Sequence, residues 1–175
     1  MNLLVAVLDY LRAHEIGAAA IGGVALAAHG IVRATLDADV LVTDSRVLRA
    51  EFWAGFSSVQ AEARRGDADD PLAGVAHLVS GTEEVDVVVG KYLWQTRALE
   101  RAVILSVDGR PLPTVDRADL VLLKLFAGGP QDLLDIQLLL AADSEGALRT
   151  EVDARIRDLP VDVRAAWSQL KKSPL

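Results

Sequence analysis

Ile21-Gly22-Gly23-Val24-Ala25-Leu26-Ala27-Ala28-His29-Gly30-Ile31-Val32-Arg33-Ala34-Thr35-Leu36-Asp37-Ala38-Asp39-Val40-Leu41-Val42 joins a glycine turn to two aspartates inside a strand pattern. Gly22-Gly23 predict a turn out of a short strand over 18–21 and into a short helix through Ala28, which Gly30 stops. Period-two alternation then predicts a strand over 36–42. Side chains two apart on a strand point the same way, so Asp37 and Asp39 share a face. A carboxylate inside an apolar strand is costly unless something cationic answers it.

Outward from that stretch, Leu4, Val7, Leu8 and Leu11 recur at the spacing of one helix face. Ser45 is a plausible cap for a helix through Phe52 and Trp53, and 66–71 reads as a polar loop. Segments 75–79 and 85–89 predict two strands joined across Ser80-Gly81-Thr82 as a hairpin, with Asp86 in the second. A helix over about 92–101 follows, then a strand over 103–107, a turn at Asp108-Gly109 and Pro111-Leu112-Pro113. Beyond Arg117 the pattern turns helical: 119–127 and 131–142 are apolar helices separated by Gly128-Gly129-Pro130. Leu148, Val152, Ile156 and Leu159 recur at helical spacing, as do Val163, Trp167 and Leu170. The fold class expected is α+β, a small mixed β-sheet flanked by helices with a helical carboxyl-terminal segment. We expect a core over 1–115 and a helical segment over 116–175 packed on it as a single unit.

Bulk properties narrow the function. The 175 residues are 51% hydrophobic, enough for a sizeable core. A net charge of −7, from 25 acidic and 18 basic residues, argues against general coating of DNA or RNA. Cysteine is absent, which removes disulfides and thiolate metal sites. The amino terminus lacks the basic start of a signal peptide, and no apolar run approaches membrane-span length. The expectation is a cytoplasmic protein without membrane association.

Asp37 and Asp39 on one strand face, with Asp86 on a neighbouring strand, would bring three carboxylates together. Uncompensated, such a cluster repels itself and one member holds a proton near neutrality. Mg²⁺ removes the conflict, because this hard cation binds carboxylates together with substrate phosphates. Two such ions, or Mn²⁺ in their place, can activate a hydroxyl and steady a leaving pyrophosphate. Upstream, Gly22 and Gly23 open a helix whose free N–H groups can grip phosphate oxygens. Against this stand blander readings: an isolated Asp-x-Asp is common, Asp37 can cap a turn, Asp86 can pair with a buried arginine, and most Gly-Gly pairs are merely turns.

Together, Gly22-Gly23, Asp37-x-Asp39 and Asp86 resemble the signature of the nucleotidyltransferase superfamily, the DNA polymerase β-like fold. The fuller string, with Ala25, His29-Gly30, Arg33 and Thr35, is similar to the bacterial branch that includes toxin components of abortive-infection toxin–antitoxin pairs. The resemblance covers roughly residues 15–140. It implies transfer of a nucleoside monophosphate from a nucleoside triphosphate to an acceptor hydroxyl, with pyrophosphate released. The acceptor expected is tRNA or a protein, with a cognate antitoxin as partner. The alternatives are an antibiotic-type small-molecule nucleotidyltransferase, for which an acidic surface would steer a cation, and a non-catalytic nucleotide-binding module of the same fold. Many members carry Gly-Ser at the turn, whereas this chain has Gly23, so the triphosphate contact falls to backbone N–H or a neighbour.

The resemblance implies that Asp37, Asp39 and Asp86 bind metal, and that Asp86 also draws the proton from the acceptor hydroxyl. Gly22, Gly23, Arg33 and Thr35 would seat the nucleotide. Arg33 is equally suited to an ion pair with Asp37 or Asp44. Thr35 shares the face of Asp37 and can orient a carboxylate or a water. Toxin-like relatives place a lysine and a following aspartate pair beside the active site, here Lys124, Asp132 and Asp135. Lys124 would neutralise triphosphate charge; its alternative is a snorkelling lysine at a helix edge. Asp132 suits the helix start after Pro130, which leaves Asp135 as the expected partner of Lys124 and a nucleotide-site residue. A helix-end or packing role is expected for His29. Trp53 and Trp94 are expected in the core rather than stacked on a base, and Arg64, Arg65, Lys91, Arg97 and Arg101 are candidates to meet an RNA acceptor.

Overall fold

The computed structural model describes residues 2–32, 37–57, 59–107 and 109–172, with only the backbone of Asp37. Arg33 and Thr35, and the side chain of Asp37, therefore lie outside the described residues. Among the described residues the chain forms seven strands in one mixed sheet, flanked by helices on both faces. That is the α+β architecture which the strand and helix periodicities predicted.

Helix α1 (Leu3–Ala13) starts where Asn2 accepts a hydrogen bond from Leu4 N at 2.9 Å. It buries Leu4, Val7, Leu8 and Leu11, the apolar stripe read from the sequence. Strand β1 (Ala19–Ile21) runs into α2 (Gly22–Ala28), and β2 (Asp37–Val42) returns beside β1 in antiparallel register. Strands β4 (Gly74–Ser80) and β5 (Glu83–Val89) form the expected hairpin, turned at Gly81 with φ +64°. Then come α4 (Leu93–Glu100), β6 (Val103–Val107) and β7 (Arg110–Thr114). The order across the sheet is β3-β4-β5-β2-β1-β7-β6, with β2–β5 and β1–β7 parallel.

Two elements depart from the sequence reading. No continuous helix runs from Ser45 to Trp53. Asp44, not Ser45, caps a single 3₁₀ turn over Ser45–Leu48, and α3 (Ala50–Trp53) follows after a break at Arg49. The cause is the Trp53 indole, whose Nε1–H donates to Val47 O at 2.7 Å and takes the carbonyl that a continuing helix would use. In addition, β3 (Gln60–Arg65) is a strand where the sequence showed no apolar pattern. Among the described residues it is an edge strand paired only with β4, and its charged side chains remain in solvent.

Helices α5 (Arg117–Ala127), α6 (Pro130–Ala141), α7 (Ala147–Arg155) and α8 (Val161–Leu170) complete the chain. Asp116 caps α5 by accepting from Asp119 N at 2.8 Å, and Gly128, at φ +68°, ends it. The buried Asp119 carboxylate receives both Arg101 and Arg155, tying α4, α5 and α7 together.

Alternation along the strands divides the interior in two. Ala20, Val40, Val42, Val87 and Val89 pack against α1, the 3₁₀ turn and α3. Ala19, Ile21 and Leu41 face the other way, onto Leu120, Leu122, Ile136, Leu139 and Trp167. The carboxyl-terminal helices thus share a core with the central strands. Truncating one fully buried leucine of this layer, such as Leu120→Ala, costs about 2–5 kcal/mol.

Candidate active site

Register partners on neighbouring strands project from the same side of a sheet. On the face of Leu41, strand pairing lines up Glu62 of β3, His77 of β4, Asp86 of β5, Asp39 of β2 and Ile21 of β1 in one transverse row. The row passes from exposed Glu62 through half-buried His77, Asp86 and Asp39 to buried Ile21. One step along the strands, the backbone of Asp37 pairs with Glu84. The structure thus brings Asp39 and Asp86 together on one face of adjacent strands.

Gly22 stands against the end of this row. Its φ is +59°, and a Cβ built on it would overlap Asp39 Oδ2. Only glycine gives the turn both its left-handed backbone and this close approach. Beside it opens a cleft of about 300 Å³, lined by Gly22, Asp39, Leu41, Val88, Leu123 and Lys124 among others. Pro71, from the polar loop, and the adjoining Leu72 form part of the wall.

Lys124 is buried at that wall. Its Nζ lies 2.6 Å from Asp135 Oδ2 and 3.1 Å from Asp132 Oδ1. Asp135 is inaccessible to solvent and also accepts from Gln131 Nε2. Asp132 serves twice, because its other oxygen accepts from Gly129 N at the start of α6. The lysine and its two carboxylates tie α5 to α6.

Asp86 meets a histidine rather than a buried arginine. His77 Nδ1 lies 2.7 Å from Asp86 Oδ1, and Nε2 is 4.0 Å from Glu84. The hydrogen bond to Asp86 holds the imidazole above its ordinary value, outweighing desolvation. His77 had no part in the sequence reading, although a signal for it existed. Counting back from a two-residue turn at Gly81-Thr82 pairs residue 77 with residue 86.

Other candidates fall elsewhere. His29 ends α2 with Nε2 2.8 Å from Val115 O, and burial pushes its imidazole below the ordinary value. Trp53 and Trp94 are both buried. Arg97 pairs with Asp158, and Arg101 grips Asp119 with two nitrogens. Lys91 Nζ donates to Ala68 O in the polar loop.

Apart from Ile21, the side chains on the row offer oxygen or imidazole nitrogen. Oxygen donors from Asp39 and Asp86 suit a hard divalent cation. Among the described residues no three potential ligands converge as a metal cluster, and the Asp37 side chain lies outside that set.

The fold as a whole is similar to solved nucleotidyltransferase structures. The antibiotic-resistance factor ANT(2'')-Ia superposes with a TM-score of 0.58 at 14% identity, over 94% of this chain and 91% of that one. A proposed nucleotidyltransferase from Thermotoga maritima gives 0.57 at 14% identity, over 80% and 91% of the two chains. This chain has the nucleotidyltransferase fold. An antigenic nucleotidyltransferase-like protein from Paracoccidioides brasiliensis shares the fold, with a TM-score of 0.52 at 17% identity over 95% and 90%. No family model matches the chain, and neither does any curated protein sequence. The nucleotidyltransferase fold was legible from Gly22-Gly23, Asp37-x-Asp39 and Asp86. The abortive-infection branch rests on the sequence resemblance alone.

Proposed function

We propose that this protein transfers a nucleoside monophosphate from a nucleoside triphosphate to an acceptor hydroxyl and releases pyrophosphate. The observation that carries the reading is the pairing of Asp39 with Asp86 beside Gly22 and the cleft. Asp37, Asp39 and Asp86 would hold Mg²⁺, or Mn²⁺ in its place, through carboxylate oxygens. When bound, the metal would neutralise phosphate charge and lower the barrier to in-line displacement.

The protein's own groups then have separable tasks. Gly22 lets the turn approach Asp39 closely, and Gly22, Gly23, Arg33 and Thr35 would seat the triphosphate at the start of α2. The cleft walls, Leu41, Val88 and Leu123, exclude water and take the nucleoside. Asp86 accepts the acceptor's proton as the new oxygen–phosphorus bond forms and the bond to pyrophosphate breaks. Lys124, held by Asp132 and Asp135, keeps the cleft wall in place.

Charge favours a cationic small molecule as acceptor. Glu62 and Glu84 extend the carboxylate face outward from Asp86, while Arg97 and Arg101 are already engaged in ion pairs. The neighbour ANT(2'')-Ia, whose complex with adenylyl-2''-tobramycin is known, supports the same direction at the level of fold only. A tRNA or protein acceptor with an antitoxin partner rests on the sequence resemblance. The test is metal-dependent pyrophosphate release from each nucleoside triphosphate, with aminoglycoside, tRNA and protein acceptors in separate reactions. Asp39→Ala should abolish release; undiminished release in that variant would overturn the proposal. Tight nucleotide binding without turnover would identify a non-catalytic module instead.

A further inference from the structure

We infer that His77 is a positioning residue for this transfer, fixing the carboxylate of Asp86 in its working orientation. The inference rests on the reading of Asp86 as a site carboxylate. An aspartate's terminal torsion is broad, so an unanchored carboxylate samples many orientations. Here Oδ1 is tethered to His77 Nδ1 at 2.7 Å, from the strand on the side away from Asp39. Oδ2 has no hydrogen-bond partner among the described residues and is left for the site. Ligating carboxylates gain orientation and affinity from such outer hydrogen bonds.

The hairpin places this tether without freedom. His77 and Asp86 are register partners across β4 and β5, with Ala76, Leu78, Val85 and Val87 buried on the opposite face. A slip by one residue would drive His77 into that core. Glu84 lies 4.0 Å from Nε2, and Glu62 is the register partner of His77 on β3. As a partly exposed ion pair the contact adds little to folding. Its value lies in geometry, and this separates the inference from a merely structural role.

The test compares His77→Ala, which removes the donor, with His77→Asn, whose amide nitrogen can replace Nδ1. In His77→Ala we expect kcat for pyrophosphate release to fall about 10- to 100-fold, with KM for the nucleoside triphosphate little changed. Mn²⁺ affinity in the presence of nucleotide, read by electron paramagnetic resonance, should weaken by about tenfold or more. His77→Asn should recover most of both, and the thermal midpoints of all three proteins should agree. The inference is overturned if His77→Ala keeps wild-type kcat and Mn²⁺ affinity, or if His77→Asn is no better than His77→Ala. Loss of activity in Asp39→Ala together with a fully active His77→Ala overturns this inference alone. A wild-type protein that neither turns over nor binds Mn²⁺ overturns the functional proposal and this inference with it.

Discussion

Lys124 and Asp135 meet at 2.6 Å between two apolar helices, and both are buried. Their attraction is set against the desolvation of both charges, so the pair's net contribution is small while the loss of either partner is severe. Lys124→Ala should lower stability by about 3–5 kcal/mol. The double variant Lys124→Met with Asp135→Leu should be close to wild type in stability. Urea denaturation of the two variants checks both statements.

Gly22 carries a positive φ and faces Asp39 at a distance no side chain tolerates. Gly22→Ala should lose about 1–2 kcal/mol from the left-handed backbone alone. Displacement of Asp39 should cost activity well beyond that loss. Pyrophosphate release measured where the variant remains fully folded separates the two effects.

Leu123 lines the cleft and is only partly buried, so a larger side chain there can occupy the cleft without disturbing the core. Leu123→Trp should raise KM for the nucleoside triphosphate about tenfold or more while changing kcat little, the signature of lost ground-state binding. Steady-state kinetics with saturating acceptor reads this directly.

His29 titrates below its ordinary value of 6.5 because burial disfavours the charged ring. Between its folded value and 6.5, the unfolded chain binds a proton that the folded chain refuses. Stability from this residue is therefore complete above 6.5 and is lost as pH falls through the folded value. His77, raised by Asp86, carries the opposite sign, so wild type must be compared with a single-site variant. His29→Gln keeps a donor for Val115 O and cannot titrate. The difference in denaturation midpoint between wild type and His29→Gln should shift against wild type between about pH 7.5 and about pH 5.5.

Local signals carried much of the architecture. Gly128-Gly129-Pro130 divides α5 from α6 because glycine tolerates the left-handed cap and proline opens the next helix. The break between Ser45 and Trp53 escaped notice because its cause is an indole folding back onto Val47 O, which no spacing rule encodes. Strand β3 escaped because an edge strand needs no apolar face of its own when β4 supplies the ladder. His77 was within reach of the hairpin turn but sits among residues that read only as strand.

Period two alone puts Asp37 and Asp39 on a common face, and a lysine in the middle of an apolar helix demanded a carboxylate partner. Those facts are local, and the chain states them without being folded. That Asp86 stands beside Asp39 was decided by the parallel pairing of β2 with β5, between segments more than forty residues apart. A shift of two residues would preserve every face yet set Asp39 against Glu84 or Val88. The register sets Val40 and Val42 opposite Val87 and Val89 in the layer beneath α1, and long-range pairing of that kind exists only when the whole sheet is assembled.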